Sequence, residues 1–159
     1  MDLRAGHFLD VWRLKIASGT NEATSTYNSH QIMPWQVKLN DQYPIVEQHI
    51  SGHDDDEEVR KSYFELIRLA LESKRNLFLG DVTQYERNVG TDEQFLRAES
   101  LAEVSPEVLR GVRAGLIIKD DPKVRQSYKL WVSLMRNRGI NFELFTNREE
   151  TISWLMQQD

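Results

Sequence analysis

Arg75-Asn76-Leu77-Phe78-Leu79-Gly80-Asp81-Val82-Thr83 is a short apolar run that ends in an acidic residue and gives way to a polar loop. Successive side chains of a strand point to opposite faces, so Leu77 and Leu79 share one face and Phe78 takes the other. Both faces are apolar, which is the pattern of a strand covered on two sides. The stretch is therefore expected to be the central strand of an α/β sheet, with Asp81 at its carboxyl end. Open α/β sheets build their sites at that end, so a site is expected between Asp81 and Thr91.

Upstream of this strand the apolar period is helical. From Asp54, the residues Val59, Tyr63, Leu66 or Ile67, and Ala70 fall on one face, and the helix runs to about Ser73. Asp54 with Glu57 three residues later suits a capping box, and the run Asp54-Asp55-Asp56-Glu57-Glu58 lies where the helix dipole favours negative charge. The run lacks the glycine and terminal glutamate spacing of a calcium loop, so capping is preferred to a metal site. Earlier still, Trp35, Val37 and Leu39 alternate with polar residues, Asn40-Asp41-Gln42 supplies a turn, and Pro44 to Ile50 returns as a second strand, making an antiparallel hairpin. Residues 1–32 read as an amino-terminal extension: Ala5, Leu9, Trp12 and Ile16 have helical spacing, and 18–26 has the small polar composition of a linker. The folded domain is placed at 33–159, and deleting the first 30 or so residues is expected to leave its melting temperature nearly unchanged.

Downstream, Gly90-Thr91-Asp92-Glu93-Gln94 reads as a helix start with Thr91 as N-cap and Gln94 as its capping partner, and Phe95, Ala98 and Ala102 as the inward stripe. Ser105-Pro106-Glu107 looks like a second short start. Val112 to Ile118 is a buried strand that Gly111, just before it, and Gly115 allow other groups to approach closely. Asp120-Asp121-Pro122 opens what reads as the longest helix, carrying Val124, Tyr128, Trp131 and Met135 on one face and stopping at Gly139. Ile140, Phe142 and Leu144 form the last strand, and Thr146 or Asn147 caps a final helix. The order β-β-α-β-α-β-α-β-α implies α/β architecture with a mixed, mostly parallel sheet. If the parallel strands lie side by side in sequence order, right-handed crossovers put their helices on one face. The other face then needs the amino-terminal segment, a partner subunit or a ligand as its cover.

Composition narrows the function. The 159 residues, 40% hydrophobic, suit one domain with a real core. The net charge of −5, with Lys and Arg scattered, argues against binding nucleic acid or anionic lipid. The absence of cysteine removes disulfides, thiol nucleophiles and thiolate metal sites, and fits a reducing cytoplasm. No stretch could span a bilayer and the first residues lack a signal-peptide core, so a soluble, cytoplasmic protein is expected.

The chemical motifs are sparse. Asp81-Val82-Thr83 invites phosphoryl transfer on Asp81, but Thr83 stands where dehalogenase-type chemistry wants a second Asp, so loop hydrogen bonding is the plainer role. His49 and His53 are four apart, yet Gly52 and the strand end keep them off one helical face, which leaves surface histidines and no metal site. No serine elbow or nucleotide-binding glycine loop occurs, and no cofactor is expected. Tyr128, Trp131 and Met135 could line an apolar pocket, although such stripes more often pack on a sheet.

The carboxyl-terminal run Arg136-Asn137-Arg138-Gly139-Ile140-Asn141-Phe142-Glu143-Leu144-Phe145-Thr146-Asn147, followed by Ile152-Ser153-Trp154-Leu155, resembles the SpoIIAA-like branch of the STAS-like families, over residues 35–156. Those members often combine an Asn-Arg-Gly turn, a short strand with Phe and a final helix with Trp-Leu. The resemblance implies a small non-enzymatic module of bacterial signalling type that binds a partner protein or an apolar small molecule, a homodimer included. The alternative is an enzyme of unrecognised class with its site near Asp81. True anti-sigma-factor antagonists carry a phosphorylated Ser in an Asp-Ser-Ser-Gly type motif. Here Asn88-Val89-Gly90-Thr91-Asp92-Glu93 replaces it, so only Thr91 occupies a comparable place, and Thr91, Thr83 and Asp81 are the partner-facing or phosphorylation candidates. The resemblance also places Trp154 in a docking helix, where Trp154→Ala is expected to cost on the order of 3 to 5 kcal/mol.

Overall fold

The computed structural model describes residues 34–103 and 109–158. The amphipathic stretch at 2–17, the linker at 18–26, the domain boundary near 32 and the helical start at Ser105-Pro106-Glu107 lie outside the described residues. Five strands form one sheet in sequence order: β1 (Trp35–Leu39), β2 (Ile45–His53), β3 (Leu77–Glu86), β4 (Arg113–Ile117) and β5 (Asn141–Phe145). β1 pairs antiparallel with β2, and each later pair is parallel. The helices are α1 (Asp56–Ser73), α2 (Thr91–Ala102), α3 (Pro122–Ser127), α4 (Lys129–Arg136) and α5 (Arg148–Leu155). The expected mixed, mostly parallel architecture holds, with Leu77-Phe78-Leu79 in the middle strand.

Local chemistry sets the connections. The Asn40 side chain accepts from the amides of Gln42 and Tyr43 at 2.8 and 2.7 Å, closing the hairpin as an Asx turn. Arg75 then donates to the Asn40 and Ile45 carbonyls, tying that turn to the end of α1. Helix α1 is capped one residue later than the sequence suggests, since Asp55 accepts from the Glu58 amide at 3.0 Å, which leaves Asp54 for another role. Asp121 caps α3 with Pro122 in its first turn, and Asn147 caps α5. Gly139 has φ +83, where a side chain would be strained, and ends α4 as expected.

Several boundaries depart from the sequence reading. Asp81 is not the last residue of its strand, because β3 continues to Glu86 and pairs with the Ser51–His53 end of β2 past an irregularity in register. Asp81 is nonetheless level with Ile117, the last residue of β4, so the sheet's carboxyl edge falls there on one side only. The helix expected to be longest is two pieces, interrupted at Tyr128, and α1 is the long helix. At the break the Ser127 carbonyl accepts from Arg87 at 3.1 Å instead of serving a continuous helix. In α2 the inward residues are Gln94, Arg97 and Ala98, whereas Phe95 is exposed.

Strand alternation creates two apolar faces. Ile50, Phe78, Val82, Leu116 and Phe142 look toward α1 and α4, while Ile45, Leu79 and Ile117 cluster with Leu155 of α5 on the other side. The second face is thus covered over β3, β4 and β5 by α5, which follows the last strand and is no crossover. Gly115 makes this approach feasible, because a Cβ there would lie 2.5 Å from Thr151 Cγ2. Gly115→Ala must push α5 off the sheet and is expected to cost about 1–3 kcal/mol. A urea midpoint equal to the parent's would show that α5 is not seated on this strand.

Candidate functional site

The face between the sheet, α1 and α4 encloses a cavity of about 100 Å³. Tyr128, Trp131 and Met135, each buried, come together on its wall beside Ile50, Val59 and Leu116. The break between α3 and α4 turns Tyr128 inward with Trp131, which stacks on Tyr63 of α1 at 6.1 Å between ring centroids. Arg87, just past β3, lies with its guanidinium carbon 4.4 Å from the Tyr128 ring centroid and 5.8 Å from that of Trp131, a cation–π arrangement. Two of its N–H donors go to the Ser127 carbonyl and to Gln94 Oε1, at 3.1 and 3.0 Å.

Beside that wall stands a polar cluster. Arg97 of α2 is buried and meets Asp54 with a two-pronged pair of hydrogen bonds, 3.0 Å each, while its Nε donates to Asp56 at 3.1 Å. Tyr85 of β3 donates to Asp54, so one carboxylate receives a guanidinium and a phenol. Burial works against a charged Arg97, but the hydrogen bonds with Asp54 and Tyr85 outweigh it and hold the guanidinium ionised. Burial raises Tyr85 most, with the Asp54 carboxylate adding to it, and burial likewise raises Tyr63 and Tyr128, so these phenols stay neutral at ordinary pH. Tyr85 and Arg87 fall within the stretch where a site was expected but were not singled out, Asp54 was read as a cap, and Arg97 was not a candidate. The signal was present: Gln94, Arg97 and Ala98 have the i, i+3, i+4 spacing of an inward face, but two of the three are polar.

Asp81 lies on the opposite face of the sheet, in a polar groove of about 250 Å³ with Lys38, Glu47, His49 and Arg148. One Asp81 oxygen accepts from the Thr83 amide at 3.0 Å and its hydroxyl at 2.7 Å, the short-range role expected for both residues, and His49 Nδ1 stands 3.8 Å from the other. His53 pairs with Glu86 instead, at 2.8 Å. Burial pushes the Glu47 carboxyl up, but hydrogen bonds from Arg148 and Asn40 outweigh it and hold the group below its ordinary 4.5. A depressed carboxyl stabilises the fold above the unfolded value and loses that contribution as pH falls through the folded one. Glu47→Gln is therefore expected to lower the melting temperature at neutral pH, and the gap should close as pH drops below 4.5. A gap independent of pH would assign the loss to packing.

Thr91 joins neither the groove nor the cavity. It is exposed in the first turn of α2, and the N-cap is Gly90, whose amide donates to Glu93 at 3.3 Å. Thr91 is therefore not the cap and Gln94 not its partner, because Gln94 is turned inward to Arg87. Among the described residues no group of three or more acidic or His side chains could hold a metal ion, and no helix is long and apolar enough to cross a membrane.

No protein-family model matches the chain, and no curated protein matches it in sequence. Among solved structures, it is similar to the crystal structure of an anti-sigma factor antagonist from Mycobacterium paratuberculosis, with a TM-score of 0.50 and 14% identity over 78% of this chain and 96% of that chain. Such low identity speaks to the backbone alone, and with the ordered five-stranded sheet and its flanking helices it is consistent with the resemblance carried by the carboxyl-terminal run. The chain has a SpoIIAA-like, STAS-type α/β fold.

Proposed function

We propose that the chain is a non-enzymatic regulatory module of STAS-like type that docks a partner protein through α2. The observation that carries this reading is the adjacent pair Phe95 and Leu96, 44% and 57% exposed. Burying a large apolar side chain is worth about 1.5–3 kcal/mol, so two neighbours left in water on one helix are a source of docking energy. The antagonist that shares the fold is named for a protein target, which supports a protein partner here. Thr91 belongs to the same helix and serves as a contact residue in this reading. A phosphate on it would meet Asp92 and Glu93, and Glu93 already occupies the Gly90 amide.

The test is a paired capture from the native cell using the parent chain and the double variant Phe95→Ser, Leu96→Ser. Both positions are exposed, so the melting temperature should stay within a degree or two of the parent's. The expected result is a protein retained by the parent and lost by the variant, and a second copy of the chain would count as that partner if sedimentation shows it. Identical captured sets would overturn the proposal. A second reading, an enzyme using the groove, draws on the approach of His49 to Asp81. Asp81→Asn should leave capture intact if α2 is the working surface.

A further inference from the structure

We infer that the cavity between α1, α4 and the sheet takes a compact hydrocarbon monocarboxylate, with its carboxylate on Arg87 and its hydrocarbon inside. The inference rests on the binding-module reading and adds to it a small ligand at a separate face. An apolar cavity of about 150 Å³ suffices for benzene, so one of about 100 Å³ suits a short branched chain and excludes a long acyl tail. Its interior is mostly hydrocarbon, with Ile50, Val59, Leu66, Val82 and Leu116 on the walls and Gln48 among the few polar lining groups.

The polar end is what selects a carboxylate. Arg87 is only partly exposed and donates to a neutral carbonyl and a neutral amide, and no carboxylate pairs with it among the described residues. The neighbouring charges cancel without it, because Arg97 and Arg60 together match Asp54 and Asp56 one for one. Tyr128 is 5% exposed, and its hydroxyl has no hydrogen-bond partner among the described residues. Tyr63, half-buried, lines the same cavity, and its hydroxyl likewise has no hydrogen-bond partner among the described residues. Neither hydroxyl oxygen is sealed away from water-sized space, so a ligand oxygen can reach both, and a half-buried guanidinium held by dipoles and ring faces is short of a full counter-charge. A carboxylate at the mouth supplies an acceptor to both phenols and a charge to Arg87, while ordered water would supply only the former.

The test is calorimetric titration of the full chain with isovalerate and with its neutral isostere isovaleramide. Hydrogen bonds to charged groups are worth about 1.5–3 kcal/mol, so isovalerate should bind at least about tenfold more tightly than the amide. Arg87→Gln should erase that preference and leave amide binding nearly unchanged. Isovalerate should also raise the melting temperature of the parent, and palmitate should not. Equal affinity for the two probes, a preference that survives Arg87→Gln, or no binding of either at millimolar concentration would overturn the inference and leave water as the partner of these groups. The comparison of probes on the parent chain stands even if Arg87→Gln does not fold. Partner capture is read at Phe95 and Leu96, so failure of either proposal is seen separately.

Discussion

Arg97→Met is expected to destabilise the protein by about 3–5 kcal/mol, because it leaves the buried Asp54 carboxylate without its counter-charge. The two side chains are 5% and 10% exposed, so solvent cannot take over the role of the guanidinium. After the change Asp54 would keep only the Tyr85 phenol as a hydrogen-bond donor among the contacts described above. The loss should be largely recovered in Arg97→Met with Asp54→Leu. Replacing both members of a buried ion pair by apolar groups of similar size is often neutral or stabilising, whereas removing one strands a charge. Urea unfolding of the parent, the single and the double variants checks this. A single variant within about 1 kcal/mol of the parent would mean that water reaches Asp54, and a double variant no better than the single would place the cost in packing.

Leu155→Ala is expected to cost about 2–5 kcal/mol and to exceed Trp154→Ala. Leu155 is 1% exposed, in the cluster with Ile45, Leu79 and Ile117, so its truncation opens a cavity under α5. Trp154 is only half-buried, packed against that cluster from outside, with its ring 5.4 Å from that of Phe145 and Arg113 over it at 5.4 Å. The sequence resemblance placed the tryptophan in the docking helix as a buried ring, whereas the geometry leaves it half-buried and fully buries its neighbour. Such a half-buried ring retains much of its water contact, so it forfeits less on removal. Chemical unfolding of the two variants side by side decides the order, and a larger loss for Trp154→Ala would mean that α5 is held by its aromatic edge.

The order of elements along the chain and the fold class were legible because they depend on period, whereas the side-by-side order of the strands was only a condition that the sheet fulfils. Leu77-Phe78-Leu79, the alternation in Trp35 to Leu39 and the glycine at 139 each state their local structure without reference to anything distant. The same local logic misjudged β3, whose residues Val82 to Glu86 look like a polar loop alone but become strand by pairing with the far end of β2. It likewise read Asp54 as a cap and Gln94 as a capping partner, since a sequence offers every polar residue its nearest backbone first. Tyr128, Trp131 and Met135 were legible as a stripe, but not the cavity they border, which exists only where α1, α4 and the sheet fail to fill the space between them.

What the sequence by itself determined is therefore the set of elements, their order and the apolar face of most of them, all consequences of residue type at short range. The tertiary structure decided which polar groups meet: Arg97 with Asp54 across 43 residues, Arg148 with Glu47 across 101, and Arg87 with the Tyr128 ring. Periodicity reports burial, which depends on area and on a residue's own side of a helix or strand. Charge pairing depends on a direction and a distance between two particular atoms, and those are set only once the sheet has brought distant segments together.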